Sequence, residues 1–299
     1  MKKQYIIAQN AISVSAPDGL VAWGVVEHRY SPFEASSTEN PVLEIDIRVD
    51  ALPESDGTMI YEPIHNDIGL VTSRASRLAD GSLVIEFGHI SESKPRLWMK
   101  MPSRLNRADI LMAPDGDDND GYFLSHALMI AYMLGTCHSG TLLMHSATVI
   151  HDGKAFLFQG KSGTGKSTHA ALWTRHIAGA ELLNDDHPVV RFTPDGVATA
   201  YGSPWSGKTD CYRNLSAPVG AFVRIVRDRE NALRRLAPLQ AYASLTASVF
   251  YLPFLSDELK ETRHKTIERL AGTVPCCEMH CRPDRDAAIT CHRSLALNR

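Results

Sequence analysis

The stretch Gly160-Lys161-Ser162-Gly163-Thr164-Gly165-Lys166-Ser167-Thr168 keeps the spacing glycine, four residues, glycine, lysine, serine or threonine, which marks a phosphate-binding loop. Each position has a physical reason. Gly160, Gly163 and Gly165 let the backbone turn tightly and approach an anion closely. The amide N–H groups so exposed form a concave nest for phosphate oxygens. Lys166 is placed to reach the terminal phosphates, and the Ser167 hydroxyl to reach Mg²⁺. The apolar run Lys154-Ala155-Phe156-Leu157-Phe158-Gln159 predicts a buried strand before the loop. Ser167 to about His176, free of Pro and Gly, predicts a helix after it, whose N-terminus adds partial positive charge under the phosphates.

One helix further on, Glu181-Leu182-Leu183-Asn184-Asp185-Asp186 reads as a short strand ending in paired carboxylates. Beside a triphosphate such a pair suits Mg²⁺ binding and proton acceptance, so Asp185 and Asp186 are candidate catalytic and metal-binding residues together with Ser167. Lys208 and Arg213 follow in and after a glycine-flanked loop, Gly202 to Lys208. They read equally as cations that stabilise a transferred phosphoryl group or as surface charges. Cys276-Cys277-Glu278-Met279-His280-Cys281 invites a zinc reading, but it contains no CxxC pair, and adjacent cysteines on a strand face opposite ways. Buried or incidental reduced thiols fit better.

The elements that must position these groups follow from the rest of the chain. With 299 residues and 44% hydrophobic content there is room for two domains with real cores. Residues 1–112 carry short apolar runs (Gln4 to Val14, Leu20 to Val26, Val42 to Val49, Met59 to Ile64, Ser82 to Phe87) broken by turn formers. Leu43 to Val49 alternates with period two. These residues are expected to form a β-rich, antiparallel domain without a chemical motif. Residues 113–121, with Asp115, Asp117, Asp118 and Asp120, lack the terminal bidentate Glu of a Ca²⁺ loop and read as an acidic linker. Residues 122–299 form the second domain, an α/β (α+β) unit. In it Tyr122 to about His138, Leu239 to Leu252 and Ser256 to Ala271 are expected helices, and a last one ends near Leu297 with Pro283 in its first turn. Leu142 to Ile150, Val219 to Val226 and Val274 to Cys281 are expected strands, with hairpins at Val149–Lys154 and Val189–Tyr201.

A net charge of −3 with no basic block argues against nucleic acid as partner. Arg224 to Arg235 is interleaved with acids and reads as a solvated helix face. No apolar run long enough to span a membrane occurs, and the start is too weakly apolar for a signal peptide, so a cytoplasmic location is expected.

Met144-His145-Ser146-Ala147, Gly160 to Thr168 and Leu182 to Asp186 together resemble the catalytic core of HPr kinase/phosphorylase, and also that of the phosphoenolpyruvate carboxykinases, which share its nucleotide-binding fold. The resemblance covers about residues 140–290, and Tyr201 to Asn214 resembles a bacterial subgroup of HPr-kinase-like proteins. It implies a P-loop nucleotide-binding domain of that type behind the β-rich domain, with ATP and Mg²⁺ as cofactors. The reaction implied is kinase transfer of the γ-phosphoryl group to a hydroxyl of a protein serine or a small metabolite. His145, Lys166, Ser167, Asp185 and Asp186 are the matching site positions. One aspartate would help hold the metal and the other accept the hydroxyl proton, in either assignment. His145 would approach the γ-phosphate or a second metal, unless it is a buried structural histidine. The related kinases assemble as hexamers, so a homo-oligomer is implied as well. The kinases follow their Asp pair with Glu-x-Arg-Gly; Tyr201-Gly202-Ser203-Pro204-Trp205 stands there with no Glu. That departure raises a second reading, a nucleotide-binding regulatory or accessory protein without turnover. Carboxykinase-like chemistry is a third, disfavoured because carboxykinases are much longer.

Overall fold

The computed structural model describes residues 1–37, 40–54, 56–61, 71–89 and 94–297. They group into two compact units, residues 1–138 with 252–256, and residues 139–251 with 257–299. Among the described residues no helix is long and apolar enough to cross a membrane. The expected apolar run at 59–64 lies outside the described residues from position 62 onward.

The first unit holds strands β1 (Lys2–Ile7), β2 (Asn10–Ser15), β3 (Glu34–Ala35), β4 (Leu43–Val49), β5 (Thr58–Tyr61), β6 (Val71–Arg77), β7 (Leu83–His89), β8 (Leu97–Met101) and β9 (Arg107–Met112), with helices α1 (Val21–Tyr30) and α2 (Asp120–Thr136). Its sheet runs β3-β1-β2-β4-β9-β8-β7-β6-β5. The unit is β-rich as expected, with two corrections. The sheet is mixed, because β2 pairs parallel with β4 and β4 parallel with β9. And Val21 onward is helical: Ala22, Trp23, Val26 and Tyr30 are buried along one helical face, while Val21 and Val25 stay exposed. The helix and the β2–β4 pairing belong together, since parallel neighbours need a long crossover and α1 lies within the connection from β2 to β4. The core ties α2 to the β1–β2 hairpin through Tyr132, which accepts from Asn10 Nδ2 at 3.0 Å and donates to the Ile7 carbonyl at 3.0 Å.

The acidic stretch is not a linker. Arg96 Nη1 donates to Asp115 Oδ1 at 2.7 Å, and the Asp117 N–H donates to Asp120 Oδ2 at 3.0 Å, so the segment is clasped onto the first unit and opens α2. The boundary between units therefore falls after α2, between residues 138 and 139.

The second unit contains β10 (Leu142–Leu143), β11 (Ser146–His151), β12 (Lys154–Gln159), β13 (Glu181–Asp186), β14 (Val189–Phe192), β15 (Ala198–Tyr201), β16 (Ser216–Arg227), β17 (Ala232–Arg235) and β18 (Cys276–Cys281), with α3 (Lys166–His176), α4 (Pro238–Thr246), α5 (Asp257–Thr273) and α6 (Arg285–Leu297). Long β16 is its spine. Its first residues pair antiparallel with β15, and its later ones pair parallel with β12 and β18. Strand alternation sorts the side chains to two faces. Phe156, Phe158, Ala221, Val223 and Ile225 pack with Trp173 of α3 and Ala287, Ala288 and Cys291 of α6. Ala155, Leu157 and Phe222 pack with Leu245 of α4 and Ile267 and Leu270 of α5.

The cysteines obey the same alternation: Cys276 joins the second cluster, and Cys277 and Cys281 the first. All six thiols are free, and burial pushes Cys276 up to about 12 and Cys281 up to about 11. Protonated thiols on opposite faces suit a core and not a zinc site. Three further expectations change. The strand expected over 142–150 breaks at Met144, which bridges to Val249. Arg224 to Arg235 is the end of β16, a turn and β17 rather than a helix. Pro283 precedes α6, whose Ala287 N–H is received by Asp284 Oδ1 at 2.9 Å.

The α1–α2 crossing gives a test. A Cβ added at Gly121 would stand 2.8 Å from Val25 Cβ and 2.7 Å from its Cγ1. Alanine in an exposed helix gains about 1 kcal/mol over glycine. Here the clash with a stiff β-branched side chain outweighs it, so Gly121→Ala is expected to destabilise by about 1–2 kcal/mol in denaturant unfolding. Adding Val25→Ala removes the Cγ1 contact but keeps the Cβ contact at 2.8 Å, so it should recover only part of the loss.

Candidate functional site

The loop between β12 and α3 has the form its glycines permit: φ is 146° at Gly160, 76° at Gly163 and 111° at Gly165. The turn is closed by the Thr164 hydroxyl, which donates to the Lys161 carbonyl at 2.8 Å. Lys161, Ser162, Ser167 and Thr168 are exposed, but Lys166, the first residue of α3, is only 8% exposed. Its Nζ donates to the Gly160 carbonyl at 3.1 Å and lies 2.6 Å from His145 Nε2. An ammonium has no lone pair, so His145 Nε2 is the acceptor and the imidazole carries its proton on Nδ1. That Nδ1 faces Asp186 Oδ1 at 3.5 Å. His145, Lys166 and Asp186 are thus brought together. His145 is 29% exposed along its side chain, so it is not a buried structural residue.

The Asp pair is held from its other side by residues 203–207. Ser206 bridges to Asp186, and the Gly207 N–H donates to the Asp185 carbonyl. Contact is so close that a Cβ at Gly207 would stand 2.7 Å from the Asp185 carbonyl oxygen. Asn184 Nδ2 donates to the Trp205 carbonyl at 3.0 Å, and Asn184 Oδ1 accepts the His187 N–H at 2.8 Å. Under these ties Asp186 takes φ 146°, a value that favours glycine and costs a non-glycine residue about 1–3 kcal/mol.

The two carboxylates face different surroundings. Asp186 pairs across the sheet with Ser146, and Asp185 with Ala147, so the pleat turns them to opposite faces. Asp186 lies between His145 and His187, whose Nδ1 is 3.3 Å from Asp186 Oδ2. These three residues offer ligand atoms all within 4.8 Å of one another, a nitrogen and oxygen donor set suited to a divalent cation. Asp185 is 2% exposed, and neither of its carboxylate oxygens accepts a hydrogen bond. A buried carboxylate in that state calls for a cationic partner.

Two predicted residues stand apart. Arg213 donates to the Leu182 carbonyl and to Glu181 Oε2, each at 2.7 Å, at the end of β13 opposite the Asp pair, and these partners lie roughly 10–16 Å from it at strand rise. Lys208 is exposed just beyond Gly207. Two residues were missed. His187 directly follows the Asp pair, and that adjacency was a readable signal. Arg227, whose guanidinium donates to the carbonyls of Gly163 and Thr164, gave none, because the contact spans 64 residues and depends on β16 lying beside β12.

No family model matches the chain, and no curated protein matches it in sequence. Among solved structures, the Hpr(Ser) kinase/phosphatase from Coxiella burnetii aligns over 52% of this chain and 88% of that one, at 14% identity and a TM-score of 0.32. At that score the likeness is a distant one, and the chemistry of the site rests on its own geometry.

The unpartnered carboxylate is testable. Asp185→Asn removes a buried charge that no donor compensates, so the ligand-free variant is expected to be more stable than wild type by roughly 1–3 kcal/mol in thermal or denaturant unfolding. The same variant should lose Mg²⁺-dependent ligand binding. A lower stability would show that the carboxylate is already compensated.

Proposed function

We propose that the second unit is an ATP- and Mg²⁺-dependent phosphotransferase of the HPr-kinase-like type, moving the γ-phosphoryl group to a hydroxyl of a protein serine or a small metabolite. One observation carries the reading: a buried lysine at the start of the helix after a glycine loop, in contact with a histidine that faces Asp186. The donor set fits the metal, since Asp185 is a buried carboxylate lacking a partner and Ser167 is exposed at the helix start. Ser167 and one of the two aspartates would hold Mg²⁺, which would supply neutralisation of the β- and γ-phosphate oxygens when bound. Once Lys166 leaves His145 Nε2, that nitrogen can take the imidazole proton and free Nδ1, and His145, Asp186 and His187 then offer a place for a second cation.

The chain's own groups do the rest. Lys166 Nζ, resting on Gly160 and His145, exchanges those partners for phosphate oxygens. The α3 N-terminus and the loop amides hold the remaining charge. The acceptor oxygen forms its bond to the γ-phosphorus as the bond to the β,γ-bridging oxygen breaks, ADP departs, and the hydroxyl proton passes to a carboxylate. Asp186, beside two imidazoles and partly exposed, suits the proton; Asp185, buried and unpartnered, suits the cation.

A second reading, a nucleotide-binding regulatory protein without turnover, is favoured by the Gly202–Gly207 wedge, which packs on the Asp pair without an acidic residue. Titration calorimetry with Mg·ATP on wild type and Lys166→Ala is the first test. Wild type should bind, and the variant should lose at least about tenfold in affinity, the least expected from removing a charged phosphate contact. Absence of binding by wild type overturns both readings. Transfer of labelled γ-phosphate to an acceptor then selects the kinase; saturable binding without transfer selects the second reading.

A further inference from the structure

Arg227, the last residue of β16, makes hydrogen bonds that neighbouring cations do not. Arg224 pairs with Glu278 at 3.5 Å, as surface arginines commonly do. Arg227 instead directs Nη2 to the Gly163 carbonyl and Nε to the Thr164 carbonyl at 3.4 Å. Two successive peptide planes of the glycine loop are thereby gripped by one guanidinium fork anchored on the central strand of the sheet.

In a trans peptide the N–H points opposite to the C=O. Drawing the Gly163 and Thr164 carbonyls toward Arg227 therefore turns the following amides, those of Thr164 and Gly165, away from it. The Thr164 N–H is then taken by the Lys161 carbonyl at 3.2 Å, closing the turn. The Gly165 N–H is aimed away from Arg227, at the cap of α3. Glycine has the largest conformational freedom to lose on ordering, so a loop with φ of 76° at Gly163 and 111° at Gly165 would otherwise be ordered at the expense of its ligand.

We infer that Arg227 is a positioning residue that fixes the phosphate-binding loop from its outer side before the ligand arrives. The inference rests on the nucleotide reading above and adds to it a residue that touches loop carbonyls and not the phosphates. The guanidinium acts through its fork as well as its charge, because a single ammonium cannot grip both carbonyls with one planar group.

The test uses the full chain as wild type, Arg227→Ala and Arg227→Lys. Hydrogen exchange on the ligand-free proteins should show faster exchange of the 160–166 segment in Arg227→Ala, with the thermal midpoint held. Calorimetry with Mg·ATP and with inorganic tripolyphosphate should show both ligands weakened by about tenfold or more in Arg227→Ala, and only partial recovery in Arg227→Lys. Three results overturn the inference: unchanged exchange and affinity in Arg227→Ala, a loss confined to ATP with tripolyphosphate unaffected, or full recovery in Arg227→Lys, which would leave only a point charge. If wild type binds and Lys166→Ala abolishes binding while Arg227→Ala does not weaken it, the inference alone falls. If wild type binds neither ligand, the nucleotide reading falls and takes the inference with it.

Discussion

Lys166 has three protons to give and no lone pair to receive one, and the site is ordered by that asymmetry. Because its ammonium lies against His145 Nε2, the imidazole must be neutral with its proton on Nδ1. Because Nδ1 carries the proton, it faces the Asp186 carboxylate as donor toward acceptor. Asp186 then stands between this ring and His187. Lys166, His145, Asp186 and His187 thus stand in line from the loop to the end of β13. The contact also has a geometric prerequisite. His145 sits where the strand is interrupted between β10 and β11, its N–H donating at 2.6 Å to the Ser248 carbonyl outside the sheet ladder.

Around that line the protein spends stability. A non-glycine residue at φ 146°, a carboxylate buried without a donor and a glycine with no room for a Cβ against a neighbouring carbonyl all fall within Asp185, Asp186 and Gly207. Elsewhere the second unit follows the strand pleat closely, with apolar side chains sorted to two faces and the cysteines sorted with them. Departures from local preference gathered at one point, in a core that otherwise obeys it, are what a site built for a ligand looks like.

What could be read in advance was local. The strand, loop and helix around Lys166, the hairpin ending in Lys154 and the strand carrying Asp185 and Asp186 are each set by neighbours in the chain, and the structure forms all three. The opposite facing of Cys276 and Cys277 needed only the period of two. What escaped was decided at a distance. The apolar residues of α1 lie on both of its faces, so Val21 and Val25 masked the helical period of Ala22, Trp23, Val26 and Tyr30. The membership of α2 depends on Tyr132 meeting Ile7 and Asn10 more than a hundred residues earlier. Arg213 reads as a candidate for the transferred phosphoryl group and Arg227 as part of a solvated helix face, and contacts between distant segments give the second to the loop and take the first from the site.

The sorting of thiols has a practical corollary. Cys211, Cys276, Cys277, Cys281 and Cys291 are all buried in the second unit, whereas Cys137 of the first unit is half-buried. The thiolate is the form that attacks an alkylating reagent, and burial withholds it by blocking access and by raising the pKa of each of these groups. Each side chain is therefore silent while its surroundings stay closed and reacts once they open. The chain carries its own set of chemical clocks, five in one unit and one in the other. Counting modified sulfurs by mass against time would report the opening of the two halves separately, without any label being introduced.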